Sequence, residues 1–465
     1  MPSSTVEMPC LSALSEELKT RTKGTFWEKP VEFLLRPIFW LMLAAVMFCF
    51  VNHPIYNPTK VPSYYYTNGD TNEYTQYPVN ILNGETALNR TPVYPYFLKF
   101  VYWITGGESI LVEMIRSPEG APLAAHVVQG EQTCFYVVCF QMILFLAALI
   151  PFYYACQIIL RNFIVCCAVF LWTAYTFVVF QWWIMTEPLA VSGSLLFFSL
   201  YIFYLNRPSY RTAIALGILA FFMVMLRPAS LYLVLLLLGF WVLRLFISPA
   251  DRKPAFVGFC VVLAAMMGLY GYAGMNQKNH GLRTISSVAL NNHFNILYEM
   301  KFYQKSSDSE ILEAIEQADP QVFANRYRLY NELVENFGQD RVRQFVYGTV
   351  KEHFADFMVL NLKRMWWESD LYSFRPLYFF GVCDLVVLVG LGGLLRTFPW
   401  YRLGMWGYFW GLMFVMYYGC PDCYRRLIVP ALPVLGLLVV RYFDWLSFAQ
   451  THSLAETKDY LKTLL

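Results

Sequence analysis

The sequence predicts an all-α polytopic membrane protein, with about ten transmembrane helices and further juxtamembrane helices on the exoplasmic side. Three observations carry that prediction. Of the 465 residues, 57% are hydrophobic and only 14% charged, whereas soluble domains carry about 25% charged residues. The apolar residues fall in runs close to the length that a bilayer core requires, about 20 residues. Every predicted inside connection is short and carries Lys or Arg, as the positive-inside rule expects. The net charge of +3 does not point to nucleic acid. The 13 Trp and 33 Tyr suit side chains that settle at bilayer interfaces.

Residues 1–33 read as a polar cytoplasmic leader carrying Lys19, Arg21, Lys23 and Lys29. No short apolar core with a small-residue cleavage site precedes the first long run, so that run is expected to stay as a signal anchor. A transmembrane core is expected over 34–274, with spans near 34–51, 133–155, 162–182, 187–205, 211–226, 229–247 and 255–274. A long first exoplasmic loop occupies 52–131. The run at 211–226 is short, which predicts tilting or a break. Residues 275–375 read as an exoplasmic helical segment. Within it, Ser307-Asp308-Ser309-Glu310 offers helix caps before Ile311, Leu312 and Ile315. Amphipathic helices follow at 321–336 and 340–360, the last leading into the basic-aromatic stretch Leu362 to Trp367 at the interface. C-terminal transmembrane helices are expected over 376–443 and a cytoplasmic tail over 444–465. Most cysteines lie inside spans, where they act as small apolar residues. Cys420 and Cys423, on the outer side, have the spacing of a local disulfide.

The inside set is the leader, Arg161, Arg207, Arg211, Arg244, Arg252, Lys253, Arg396, Arg402 and the tail after Arg441. Both long polar regions then face outward. So do the border residues with no topological use: Asp70, Arg90, Glu187, Arg227, His293, Arg425 and Arg426. Charges at membrane borders are costly and usually functional, so these residues predict one outward-facing site.

Each motif also has a structural reading. Asp70 in Asn68-Gly69-Asp70-Thr71-Asn72-Glu73-Tyr74 can serve as a general base, or can cap a helix in a box with Glu73. In Arg90-Thr91-Pro92-Val93-Tyr94-Pro95 the prolines predict an extended entry, with regular helix only after Pro95. Arg90 can hold a phosphate oxygen or simply sit in an interfacial turn. Asn89-Arg90-Thr91 is formally a glycosylation sequon, expected to be unoccupied so near the site. Glu187 opens a span before Pro188, as an acceptor-orienting group or a helix-start carboxylate. Arg227, between Leu226 and Pro228, can pair with Glu187 or with a lipid phosphate. Arg425-Arg426 runs against the positive-inside trend and suits an anion, and a lone His293 is more often structural. No Walker loop, dinucleotide fingerprint or Ser-His nucleophile motif is present.

In this order the motifs resemble the GT-C superfamily of membrane glycosyltransferases, the group of protein O-mannosyltransferases and lipid A aminoarabinose transferases. The resemblance runs through Gly69-Asp70 to Tyr74, Arg90 to Pro95, Glu187, Leu226-Arg227-Pro228, Asn276 to Asn292, and Tyr424-Arg425-Arg426 to Pro433. Asp70 is followed by Thr71-Asn72, where relatives often carry a second acidic residue. The resemblance implies a GT-C-like fold and inverting transfer of a sugar from a polyprenyl-phosphate donor. The acceptor would be a hydroxyl on a glycan, lipid or protein, and the site periplasmic in a bacterial inner membrane. Asp70 and Glu187 would be catalytic. Glu73, Tyr74, Arg90, Tyr94, Arg227, His293, Arg425 and Arg426 would bind donor phosphate or sugar. No cofactor is required, and a divalent metal is compatible. A polysaccharide polymerase or ligase is the alternative enzyme, and a lipid or solute transporter the alternative class.

Overall fold

A computed structural model describes residues 43, 44, 46, 69–77, 80–116, 122–160, 163–247, 251–318, 326–367, 404, 407, 408 and 411. Most of the expected span at 34–51, most of the C-terminal transmembrane region expected over 376–443, and the Cys420–Cys423 pair lie outside the described residues.

The first exoplasmic loop contributes two helices and a hairpin. Helix α1 is Gly69–Thr75 and α2 is Val93–Thr105. Strand β1, Leu111–Arg116, pairs antiparallel with β2, Pro122–Gln129. This hairpin departs from the all-α expectation. Its signal is present in the sequence as Ser117-Pro118-Glu119-Gly120 between two runs containing Val and Ile. Helix α2 also begins earlier than expected, with Pro92 as N-cap and Pro95 inside its first turn. Amides of a first helical turn have no intrahelical acceptor, so the missing N–H of Pro95 removes nothing.

The membrane-type helices follow as α3 Glu131–Ile159, α4 Phe163–Val178, α5 Glu187–Asn206, α6 Tyr210–Leu226, α7 Leu231–Ile247 and α8 Arg252–His280. Among the described residues, five stretches are long and apolar enough to cross a membrane. The 17-residue α6 is the shorter run that the sequence flagged. Ile143, Leu235, Phe246 and Met267 stand exposed on these helices, the surface that lipid tails would cover. On the inner faces Trp241, Tyr204, Phe152 and Phe197 are fully buried.

Close helix contacts rest on small residues. A Cβ at Gly258 would lie 2.5 Å from the Trp241 ring, and one at Gly217 would lie 2.5 Å from Val261. Small residues let helix backbones approach where no hydrophobic drive separates protein from lipid.

A second core belongs to the polar segment. It is built by α9 Val288–Glu299, α10 Ser309–Gln317, α11 Arg326–Phe337, α12 Gln339–Glu352 and α13 Phe354–Trp367, around Phe294, Ile311, Leu333, Phe345, Val346 and Phe357. Asp308 caps α10 as its sequence suggests, accepting from the Ile311 amide at 3.3 Å. The expected helix at 340–360 is two helices, divided at His353.

Replacing Gly258 with Ala should lower thermal stability in detergent by about 1–3 kcal/mol, because the new methyl overpacks against Trp241. An unchanged melting temperature would show that α7 and α8 separate easily.

Candidate functional site

The site forms where two membrane helices are interrupted. Pro228 disfavours helical geometry at the residue before it, and Arg227 is accordingly extended at φ −143° and ψ 112°. Helix α6 therefore stops at Leu226, and Arg227 leaves the helix axis. A second interruption follows α4, where a 3-10 turn at Val179–Trp182 gives way to extended backbone at Trp183. Helix α5 then begins at Glu187 with Pro188 in its first turn.

These breaks bring Glu187 and Arg227 together. Glu187 Oε1 lies 3.6 Å from Arg227 Nη2, with the side chains 2% and 14% exposed. The negative carboxylate sits at a helix N-terminus, where the helix dipole favours it. Thr186 Oγ1 donates to its other oxygen at 3.4 Å. Arg227 is only partly used, since its Nη1 is buried without a hydrogen-bond partner among the described residues. A buried guanidinium N–H without an acceptor is costly, and an anionic ligand would remove that cost.

Broken helices also expose backbone carbonyls, and the first loop covers them. Thr71 Oγ1 donates to the Ile184 carbonyl at 3.1 Å, and Thr91 Oγ1 donates to the Leu226 carbonyl at 3.1 Å. Gln141, fully buried in α3, donates through Nε2 to the carbonyls of Gln181 at 2.9 Å and Trp183 at 3.0 Å. Its Oε1 accepts from the Tyr94 hydroxyl at 3.0 Å. The loop is thus fixed directly over both interruptions.

A second ion pair lies nearer the solvent. Arg90 Nε donates to Glu73 Oε2 at 2.7 Å, with Glu73 47% and Arg90 17% exposed. The Arg90 guanidinium stands 5.0 Å from the centre of the Tyr74 ring, a cation–π distance. Tyr74 in turn meets Tyr94 edge-on at 5.3 Å, and Tyr94 lies within electrostatic reach of Glu187.

Two expectations are corrected here. Asp70 does not stand as the N-cap, because α1 begins at Gly69 and Asp70 falls inside its first turn. Nor does Glu73 complete a capping box, since Arg90 takes its carboxylate. The charge of a guanidinium outcompetes a neutral amide for that oxygen. The Asp70 side chain, and all of Arg425 and Arg426, lie outside what the structure describes.

Of the residues singled out in the sequence, Glu73, Tyr74, Arg90, Tyr94, Glu187 and Arg227 come together. His293 sits instead on α9, which builds the second core. Its ring meets Tyr347 at 5.5 Å, and the Tyr347 hydroxyl lies 3.4 Å from its Nδ1. Burial pushes the imidazole down to about 4, against the opposing pull of a hydrogen bond to the Ala289 backbone. Attention to charged residues does not find Gln141, Thr71 or Thr91. A glutamine in the middle of an apolar 29-residue helix is a visible signal, whereas two threonines in a polar loop give none. Among the described residues no three His, Cys, Asp or Glu converge as a metal site.

The chain is similar to archaeal oligosaccharyltransferases. The Archaeoglobus fulgidus oligosaccharyltransferase in complex with Zn and sulfate matches with a TM-score of 0.43 and 12% identity, over 91% of this chain and 53% of that one. Its apo form matches at 0.45 and 10% identity, over 88% and 51%. AglB from the same organism, in complex with an inhibitory peptide and a dolichol-phosphate, matches at 0.43 and 9%, over 92% and 52%. The chain spans about half the length of these structures. No protein-family model and no curated protein matches it.

Two predictions follow from this geometry. Arg227→Met should destabilise the fold by on the order of 3 kcal/mol, because it removes a cation from beside the buried Glu187 carboxylate. Adding Glu187→Gln should restore part of that loss in a double-mutant cycle of thermal melts, and strictly additive losses would mean the two side chains do not interact. His293 binds fewer protons folded than unfolded, so its contribution is full above 6.5 and is lost as pH falls from 6.5 toward 4. Protection factors in α9, with exchange corrected for its intrinsic slowing at lower pH, should therefore fall over that window, and His293→Gln should flatten the dependence.

Proposed function

We propose that this chain is an integral-membrane glycosyltransferase that moves a sugar, with inversion, from a polyprenyl-phosphate donor to an acceptor hydroxyl. The observation that carries the reading is Arg227, which lies beside the buried Glu187 with a buried N–H that has no acceptor among the described residues. A cation held in this way beneath a folded polar loop suits a lipid phosphate whose apolar chain remains in the bilayer. The order of sequence motifs supports the same reading independently. Orientation from the basic residues puts this face outward, and a bacterial inner membrane with a periplasmic site fits that orientation.

In the proposed reaction Asp70 accepts the proton of the acceptor hydroxyl as its oxygen attacks the anomeric carbon. The bond from that carbon to the phosphate oxygen breaks, and the electron pair leaves with the polyprenyl phosphate. Arg227 stabilises the charge that develops on this leaving group, together with Arg425 or Arg426, in a site from which water is largely excluded. Glu187 holds Arg227 in place as a positioning residue. Arg90, fixed by Glu73 and Tyr74, shapes the outer side of the site. The scheme requires no cofactor, and a divalent metal that shared the phosphate charge would fit it equally well.

Purified protein supplied with a lipid-linked sugar and an acceptor should transfer the sugar. Asp70→Asn should reduce the rate by about 100-fold or more without altering the melting temperature. Full transfer by a well-folded Asp70→Asn protein would rule out Asp70 as the base.

A further inference from the structure

Beside the outer ion pair is a cavity of about 310 Å³ lined by Asn72, Glu73, Gln76, Tyr77, Ala87, Leu88, Asn89 and Arg90. Small-molecule pockets run from about 300 to 1,000 Å³, so it has room for one small ring and not for an extended chain. Its chemistry is that of neutral hydrogen bonding. Asn72, Gln76 and Asn89 contribute three carboxamides, each able to donate and to accept. The two charged side chains neutralise each other as the Glu73–Arg90 pair. Asn72 is held with its Oδ1 buried and without a hydrogen-bond donor among the described residues. Tyr77, 4% exposed, adds an aromatic surface.

The opposite wall is held rigid. Ser287 Oγ donates to Asn89 Oδ1 at 2.7 Å, and the Ser287 amide donates to the Leu88 carbonyl at 2.9 Å. Asn279 Nδ2 donates to the Gly84 carbonyl at 2.8 Å and to Thr86 Oγ1 at 3.1 Å. With its oxygen held by Ser287, the Asn89 carboxamide presents its nitrogen as the end that can donate. Preorganised walls lower the entropy cost of binding a small ligand.

We propose that this cavity is the subsite for an uncharged sugar ring of the acceptor. The inference rests on the glycosyltransfer reading and goes further, in naming the acceptor as a carbohydrate. Amides that both donate and accept match vicinal hydroxyls, and the two charges here engage each other at 2.7 Å, whereas the inner Arg227 keeps an N–H with no acceptor among the described residues. The cavity is also on the solvent side. Glu73 and Gln76 are exposed, whereas Glu187 and Arg227 lie buried. The lipid-linked donor belongs to the buried pair, and the partner arriving from solvent belongs here.

The test is saturation-transfer NMR on the full chain in nanodiscs, using methyl glycosides of neutral hexoses, glucuronate and a Thr-containing tripeptide as probes. A neutral glycoside should show transfer at its ring protons, falling about five-fold in Asn72→Leu and in Gln76→Ala. Gln76 is exposed, so its loss leaves the fold intact, and Gln132→Ala on α3 serves as the unaffected control. Indifference of the signal to both variants, or equal binding of glucuronate or the peptide, overturns the proposal. Asp70→Asn should abolish sugar transfer while keeping glycoside binding. A protein that binds the glycoside but transfers no sugar from any lipid-linked donor retains the subsite and loses the catalytic reading. A transfer-competent protein that binds no neutral glycoside loses the subsite alone.

Discussion

The structure depends on satisfying backbone carbonyls where membrane helices break. In the apolar part of a bilayer no water is available for an exposed C=O, and leaving one unpaired costs several kcal/mol. The interruptions at 183–186 and at Arg227 create such carbonyls, and side chains from other segments bond those of Gln181, Trp183, Ile184 and Leu226. Two of those side chains, Thr71 and Thr91, come from the first exoplasmic loop, and the third, Gln141, also holds Tyr94 of that loop. The same hydrogen bonds that make the breaks tolerable therefore dock the loop.

That docking gives the site its arrangement. The breaks turn Glu187 and Arg227 toward one another, and the docked loop brings Glu73, Arg90 and Tyr74 to the outside of the same place. The inner pair is more buried, and the Arg227 Nη1 has no hydrogen-bond acceptor among the described residues. The outer pair is more exposed and internally neutral, bordered by amides. The end of α8 and the start of α9 complete the assembly by clasping residues 84–89 through Asn279, His280, Ser286 and Ser287.

Much of the helical framework was legible because its physics is local. A bilayer-length apolar run specifies a helix whatever its neighbours do, and α3, α5, α7 and α8 lie where the runs predicted. Asp308 caps α10 through a contact three residues away. Pro228 ends α6 by sterics confined to the preceding residue. The failures were also local in origin. The hairpin at 111–129 departs from the all-α expectation although its turn residues are visible in the sequence, and Pro95 sits in a first helical turn, which accommodates it.

The sequence by itself determined the membrane class, the helix breaks at Pro188 and Pro228, and the charged residues that accompany them. Only the tertiary structure decided which groups meet. Glu73 bonds Arg90 instead of its own helix terminus, and His293 joins the second core instead of the charged cluster. Gln141 and Thr91 reach partners 40 and 135 residues away. Such pairings are set by how the helices pack, and one polar side chain in a sequence does not reveal which distant carbonyl it will satisfy.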